Sequence, residues 1–534
     1  MTDTSNMNLR EMTDAILETE VVLREGGGIR GQERQHRNGR MVARERIENL
    51  LDPDSDFLEL GLWAAYKMYP DIGDVPAAGV VIGVGRVSGR LCMLIVNDAT
   101  VKAGTFFPQT CKKVLRAQRM AFENGLPLLY LVDSAGAYLP LQDEIFPDED
   151  DFGRIFRNNS VISAAGLPQF SAIMGNCIAG GAYLPVLSDK ILMTEGSGLY
   201  LAGPALVKAA IGQEVDSEDL GGAKMHAEIS GTVDFLEKDD TSCLQRLRKL
   251  VDMLPEDTKH EVTGAPARDP KDLYDIVDAH GKKEYDMHDV IDCIVDADTL
   301  EESKPDYGPT IITAYAKIGG HPVGIVANQR KHIMSKEEGM QIGGVIYAKS
   351  ADKAARFVMD CNQMQIPILF LQDVMGFIVG RDAEHTGIIR SGAKLVNALS
   401  NAVVPKITVI TGGSFGAGNY AMCGKAYDPR MIYAWPNAKY AVMGAEQASG
   451  VIFDITQKAA IRDGNEMDHE ELDALRQKVH DGYAEKTDIR WGAARGWVDA
   501  IIAPHTTREV LINTLEIVKR PQPKSRYHTG VIQT

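Results

Sequence analysis

Apolar and polar positions alternate along this chain in a pattern that occurs twice. LPLLYLVDSAG begins at position 126 and IPILFLQDVMG at 366; at this offset of 240, Pro127, Leu129, Leu131, Asp133 and Gly136 match Pro367, Leu369, Leu371, Asp373 and Gly376. A short apolar run closed by glycine predicts a strand covered on both faces. Upstream, KKVLRAQRMAFENG (112–125) faces DKAARFVMDCNQMQ (352–365), pairing Lys113 with Lys353 and Arg116 with Arg356 on an amphipathic helical pattern in both. Downstream, LPQFSAIMGNCIAGGAY (167–183) faces VPKITVITGGSFGAGNY (404–420) at an offset of 237, with Pro168, Gly175, Gly181 and Tyr183 matching Pro405, Gly412, Gly418 and Tyr420.

Each half therefore predicts a polar helix, a buried strand, a glycine turn, a helix, a second buried strand, a second glycine turn and a helix. That is a duplicated α/β domain. The segment MLPEDTKHEVTGAPARDP (253–270) has the Pro, Gly and charge content of a linker and divides the chain into 1–265 and 266–534. The charged stretch 462–488 reads as a solvated helical insertion. Two strands in each half end in glycine-rich turns: DSAGAYLP and GNCIAGGAY first, then DVMGFIVG and GGSFGAGNY. Glycine there permits unusual backbone angles and close approach of a ligand. The first N–H groups of the following helix lack an internal partner. Such a turn suits an anion, or an oxygen that becomes negative only in the transition state.

A chain of 534 residues with 44% apolar content implies two or more domains. Its 57 Lys+Arg against 74 Asp+Glu give a net charge of −17, which argues against nucleic acid or an anionic membrane as partner. The seven cysteines form no C-x-x-C pair and no histidines stand at H-x-x-x-H spacing, so no metal centre or disulfide framework is expected. The first twenty residues show no apolar h-region and no run of about 18 apolar residues occurs, so the expectation is a cytoplasmic protein.

Residues 412–416, GGSFG, are a literal G-x-S-x-G and raise Ser414 as the nucleophile of a serine hydrolase. That chemistry needs an Asp and then a His, yet His469, His480 and His505 lie in charged or loop-like segments. The first-half residue matching Ser414 is Cys177, so the glycines and not the serine are the shared feature. GNYAMCGK (418–425) has five residues between its glycines and Ala426 in place of the Ser/Thr of a P-loop, so no nucleotide is implied. The acidic run FPDEDDFGRIF (146–156) suits a helix first turn ahead of Phe152, Ile155 and Phe156.

RMVARERIENLLDPDSDFLEL, NDATVKAGTFFP, YLVDSAGAYLPLQDEIFPDEDDFGRIFRN and GGSFGAGNYAMCGKAYDPRMIYAWPNAKYAVMGAEQA are similar to the carboxyltransferase (β) subunits of biotin-dependent acyl-CoA carboxylases. The last resembles the methylcrotonyl-CoA carboxylase branch most, whereas RWGAARGWVDAIIAP looks nearer to propionyl-CoA carboxylases. The resemblance implies two tandem crotonase-like α/β domains and a homo-hexamer with active sites between the first domain of one subunit and the second of another. It implies a partner α subunit carrying biotin carboxylase and biotin carboxyl carrier functions, since no ATP-grasp or A-M-K-M pattern is present here. Carboxybiotin on that partner would release CO2 while one oxyanion hole holds the biotin oxygen and a second holds the acyl-CoA thioester oxygen. By matching position, the acyl-CoA hole falls on Gly180 and Gly181 and the biotin hole on Ala417 and Gly418. Gly376, Phe377 and Gly416 line the biotin side, Ala137 and Tyr138 the acyl-CoA side, and Leu199 and Tyr200 bound the acyl pocket. The implied substrate is 3-methylcrotonyl-CoA or a related short branched or unsaturated acyl-CoA, with propionyl-CoA carboxylase and glutaconyl-CoA decarboxylase subunits as alternatives.

Overall fold

Two eight-stranded sheets carry the two halves of the chain. The computed structural model describes residues 7–254, 261–335, 339–462 and 469–519. The first sheet runs Leu58–Leu60, Val80–Val87, Arg90–Asn97, Leu128–Ser134, Gln169–Ile178, Lys190–Thr194 and Phe235–Glu237, with Gly198–Tyr200 beside the far end of Gln169–Ile178. The second repeats this order: Glu301–Glu302, Ile311–Ile318, His321–Asn328, Ile368–Val374, Lys406–Phe415, Met431–Ala434 and Ala500–Ile501, with Lys439–Ala441 beside Lys406–Phe415.

The repeated sequence pattern becomes repeated structure. Leu128–Ser134 and Ile368–Val374 are buried at all seven positions, and each is parallel to both neighbours. The preceding helices, Pro108–Asn124 and Ala348–Met364, share a cap: Phe107 N donates to Thr110 Oγ1 and Tyr347 N to Ser350 Oγ, both at 2.9 Å. Both stop at a left-handed residue, Gly125 and Gln365. Each sheet also opens with an antiparallel hairpin, Val80–Val87 with Arg90–Asn97 and Ile311–Ile318 with His321–Asn328, which the repeat pattern alone does not predict.

The acidic run leads into the helix Phe152–Ala164, which buries Phe152 and Ile155 as its spacing predicts. The linker assigned to 253–270 includes residues 255–260, which lie outside the described residues. From Thr263 the chain is bonded to the second half, Thr263 N donating to Gly319 O at 3.3 Å. The charged insertion includes 463–468, also outside the described residues; its described part is helical, His469–Thr487.

One apolar cluster runs between the sheets and holds Tyr130 and Ile173 of the first half with Ile325, Val409 and Tyr433 of the second. An ion pair joins the halves beside it: Arg116 Nη2 lies 2.7 Å from Asp499 Oδ2, and Lys425 Nζ 2.8 Å from Asp499 Oδ1. Burial alone would raise the Asp499 carboxyl, but Arg116 and Lys425 hold it well below the usual carboxylate range. Among the described residues no helix is long and apolar enough to cross a membrane.

Candidate active site

The matched strands of each half lie side by side, and their register breaks at one place. The break falls between Val132 and Ser134 in the first half and between Gln372 and Val374 in the second, where Asp133 and Asp373 each stand alone opposite three residues of the next strand, 174–176 and 411–413, which form the bulge. A bulge disrupts the ladder locally. Here each carboxylate turns onto the neighbouring strand: Asp133 Oδ1 accepts from Asn176 N at 3.2 Å, and Asp373 Oδ1 from Gly413 N at 2.7 Å. A Cβ on Gly175 or Gly412 would collide with that carboxylate, which explains both glycines.

Each aspartate has a buried cation. Arg46 Nη1 lies 3.5 Å from Asp133 Oδ2, and Arg330 Nε 3.0 Å from Asp373 Oδ2, the latter off the hydrogen-bond direction. Tyr285 OH donates to Asp373 Oδ2 at 2.8 Å. Burial raises the Asp133 carboxyl against the pull of Arg46. Burial, with Asp373 beside it, drives the Tyr285 hydroxyl well above its usual value.

Beyond the bulge the first glycine turn is fixed by a parallel bridge in both halves, Phe106 with Ala137 and Ile346 with Phe377. Tyr138 stacks on Phe107 with centroids 4.5 Å apart and planes at 17°. The second turn begins at a left-handed residue, Ala179 (φ +59°) or Gly416 (φ +54°). Gly180 and Gly181 then lie in the short 3-10 turn Ala179–Ala182, and Ala417 and Gly418 in the helix Gly416–Ala421.

The two turns of each half converge. A Cβ on Gly181 would meet only Gly136 Cα, at 3.8 Å, so there is open space beside it. A Cβ on Gly418 would lie 3.2 Å from Gly376 Cα and 2.6 Å from Val374 Cγ2. Gly418 is thus also needed for close packing of its helix on the strand. Gly376 (φ +133°) has nothing within 4 Å of where a Cβ would stand. Leu199 pairs with Cys177 and Tyr200 with Ile178, which sets both alongside the strand end that leads into Ala179.

Ser414 is fully buried, and its Oγ accepts from Asn419 Nδ2 at 2.7 Å. His505 Nδ1 is bonded to Tyr274 OH at 2.8 Å, and His480 sits beside Asp481. The G-x-S-x-G serine is therefore a sealed strand residue. Among the described residues no group of three or more His, Cys, Asp or Glu side chains could hold a metal ion, and all seven cysteines are buried and outside any disulfide. Sequence reasoning found the glycines and the two aspartates but not Arg46, Arg330, Tyr285 or the bridging residues Phe106 and Ile346. Arg46 lies on the helix Ala43–Leu50 and Arg330 follows His321–Asn328, so neither falls in the matched sequence segments 112–183 and 352–420.

A family model described as "Carboxyl transferase domain" matches residues 34–529. The chain is 45% identical to the biotin-dependent 3-methylcrotonyl-coenzyme A carboxylase beta1 subunit of Mycobacterium tuberculosis, over 91% of this chain and 90% of that one. It is 42% identical to the mitochondrial methylcrotonoyl-CoA carboxylase beta chain of Arabidopsis thaliana, over 94% and 85%. Among solved structures, the beta subunit of P. aeruginosa geranyl-CoA carboxylase matches with a TM-score of 0.85 at 32% identity, over 98% of both chains. The chain therefore belongs to the carboxyl transferase domain family, as a carboxyltransferase with two crotonase-like α/β domains.

Proposed function

We propose that this carboxyltransferase moves the carboxyl group of carboxybiotin, carried on a biotin-bearing α subunit, to 3-methylcrotonyl-CoA or a related short branched or unsaturated acyl-CoA. The observation that carries the reading is the convergence, in both halves, of two glycine turns on one small space: Gly136 with Gly181, and Gly376 with Gly418. Two oxygens that gain negative charge need two holes, and a duplicated domain supplies them. The acyl-CoA preference is supported by the names of the relatives that are 45% and 42% identical.

The unit 1–265 takes the acyl-CoA. Gly180 and Gly181 offer amides to the thioester oxygen as the acyl group loses its proton, and Ala137 and Tyr138 wall the space. Tyr138 is well placed for this because its stacking on Phe107 fixes the ring. The unit 266–534 takes the biotin. The open cradle at Gly376, which a Cβ would fill, suits a flat ring approaching the backbone closely. Ala417 and Gly418 would hold its oxygen, with Gly376, Phe377 and Gly416 around it. When bound, carboxybiotin supplies the CO2 and the nitrogen that receives the acyl proton. Both turns are rimmed by exposed apolar side chains, among them Leu139 and Leu201 in the first half and Val379 and Ile389 in the second. Such rims suit burial between chains, in a homo-hexamer that sets the first unit of one copy against the second of another.

The test is to purify the chain with its biotin-bearing partner and assay ATP- and bicarbonate-dependent carboxylation of methylcrotonyl-, geranyl-, propionyl-, acetyl- and long-chain CoA. Methylcrotonyl-CoA should be preferred, by a margin of ~10–200-fold for each small change in the apolar part. A preference for propionyl-CoA would overturn the acyl assignment. Release of CO2 from glutaconyl-CoA, with no carboxylation, would make the chain a decarboxylase subunit.

A further inference from the structure

Asp133 and Asp373 have no part in the transfer as proposed, and at 3% and 4% exposure they are nearly sealed from any ligand. Their surroundings are nevertheless duplicated in detail. Each faces a three-residue bulge of the next strand, each carboxylate occupies the space left by the glycine at the middle of that bulge, and each accepts from the backbone N–H just after that glycine. Each is met by an arginine from outside the matched sequence segments; Arg46, whose Nε lies 2.8 Å from Asp240 Oδ2, also donates from Nη2 to Met174 O at 2.8 Å, which ties it to the same strand as the bulge. The bonded amides belong to Asn176 and Gly413, and Gly181 and Gly418 follow them by five residues in both halves. A buried ion pair is a weak source of stability compared with apolar packing. Its appearance twice at the same repeat position, with different arginines, therefore points to a role in geometry.

We infer that Asp133 and Asp373 are positioning residues, each latching one of the two oxyanion turns. The carboxylate fixes the end of the strand from which the left-handed residue and the glycine amides depart, so these amides are aimed before substrate arrives. Misplacement by about 1 Å is enough to cost ~10²-fold in rate. Which half-reaction each latch serves rests on the function proposed above; the latch itself does not.

The test uses the full chain with its partner and the variants Asp133→Asn and Asp373→Asn. Asparagine is neutral and has one acceptor oxygen, so if it accepts from the strand amide it turns an NH2 donor toward the arginine. Amide hydrogen exchange is the first readout. Asp133→Asn should speed exchange in 176–183 by about tenfold or more while 413–420 keeps its wild-type rate, and Asp373→Asn should do the reverse. In turnover, Asp133→Asn should lower kcat for acyl-CoA carboxylation by ~10²-fold with KM little changed, and keep the acyl-CoA-independent decarboxylation of carboxybiotin. Asp373→Asn should lose both activities. If either variant fails to fold, Gly175→Ala and Gly412→Ala displace the same carboxylates while keeping every charge, and exchange is read in the same peptides. Unchanged exchange in a variant's own turn, or an equal rise in both turns, overturns the latch. Turn-specific exchange in the variants, together with a wild-type complex that carboxylates no acyl-CoA, supports the latch and overturns the transfer reading.

Discussion

Ala179 and Gly416 occupy the same place in the two halves, 237 positions apart, and share a left-handed backbone at φ +59° and +54°. Glycine adopts this region freely, whereas alanine there costs roughly 1–2 kcal/mol. The first half thus holds a strained residue at the start of its second glycine turn, and such strain clusters at functional sites. Ala179→Gly removes the strain but loosens the unfolded chain, so urea unfolding should show a change of less than about 1 kcal/mol, in the stabilising direction. Gly416→Ala should destabilise by about 1–2 kcal/mol, because its Cβ would also stand 3.0 Å from Val442 O. A destabilised Ala179→Gly would show that the left-handed turn is not a source of strain.

Gly181 and Gly418, matched in the two halves, differ in a way the repeat hides. Gly181 has open space where a side chain would go, whereas Gly418 is pressed against Val374. Gly181→Val should keep its Tm and lose acyl-CoA carboxylation by ~10²–10³-fold, the scale of a lost oxyanion contact. Gly418→Val should lower Tm first, since overpacking costs ~1–3 kcal/mol or more, so its loss of activity is not a clean measure of the hole. Thermal unfolding and turnover measured together separate the two cases, and a fully active Gly181→Val would remove the acyl-CoA assignment.

That contrast shows what the sequence makes legible. The strands Leu128–Ser134 and Ile368–Val374, their helices and their glycine turns are all local patterns, and duplication doubles each signal. The same holds for Gly175 and Gly412, although only the structure gives the reason for them, a carboxylate in the place of a Cβ. Arg46, Arg330 and Tyr285 reach the aspartates from outside the matched sequence segments, so no spacing rule connects them. The joint core and the Arg116–Asp499 pair join one half to the other, and no spacing within either half predicts them.

Ser414 gives a direct test of backbone against side-chain catalysis. Its Oγ serves Asn419 Nδ2 inside the strand. Ser414→Ala should cost ~1–3 kcal/mol through the orphaned amide and retain activity within about tenfold. A loss of ~10⁴-fold, or labelling of the wild type by a serine-directed fluorophosphonate, would restore the nucleophile reading.

Lys113 and Lys353, matched at the offset of 240, are both buried, and burial lowers their ammonium groups to about 7 and about 8 against the opposing pull of Glu59 and Glu302. Lys113 Nζ donates to Ala77 O at 2.9 Å and Val80 O at 2.6 Å, which ties its helix to the first sheet. A base with a lowered folded pKa penalises the native state while both states are protonated. The penalty is in full force below pH 7, shrinks as the native lysine releases its proton, and is gone above the unfolded value of 10.5. Between those limits each such lysine contributes a slope of at most about 1.4 kcal/mol per pH unit, in the direction of greater stability at higher pH. His288 works the other way: Glu302 and Asp286 raise its imidazolium to about 9, so its contribution is lost as pH climbs from 6.5 through 9. The wild-type curve alone therefore mixes opposing slopes, and the informative quantity is the difference between wild type and Lys113→Met. Urea unfolding at pH 7, 8 and 9 should show the wild type gaining on the variant at each step. A difference that stays flat across that range would mean that Lys113 keeps its proton in the folded chain.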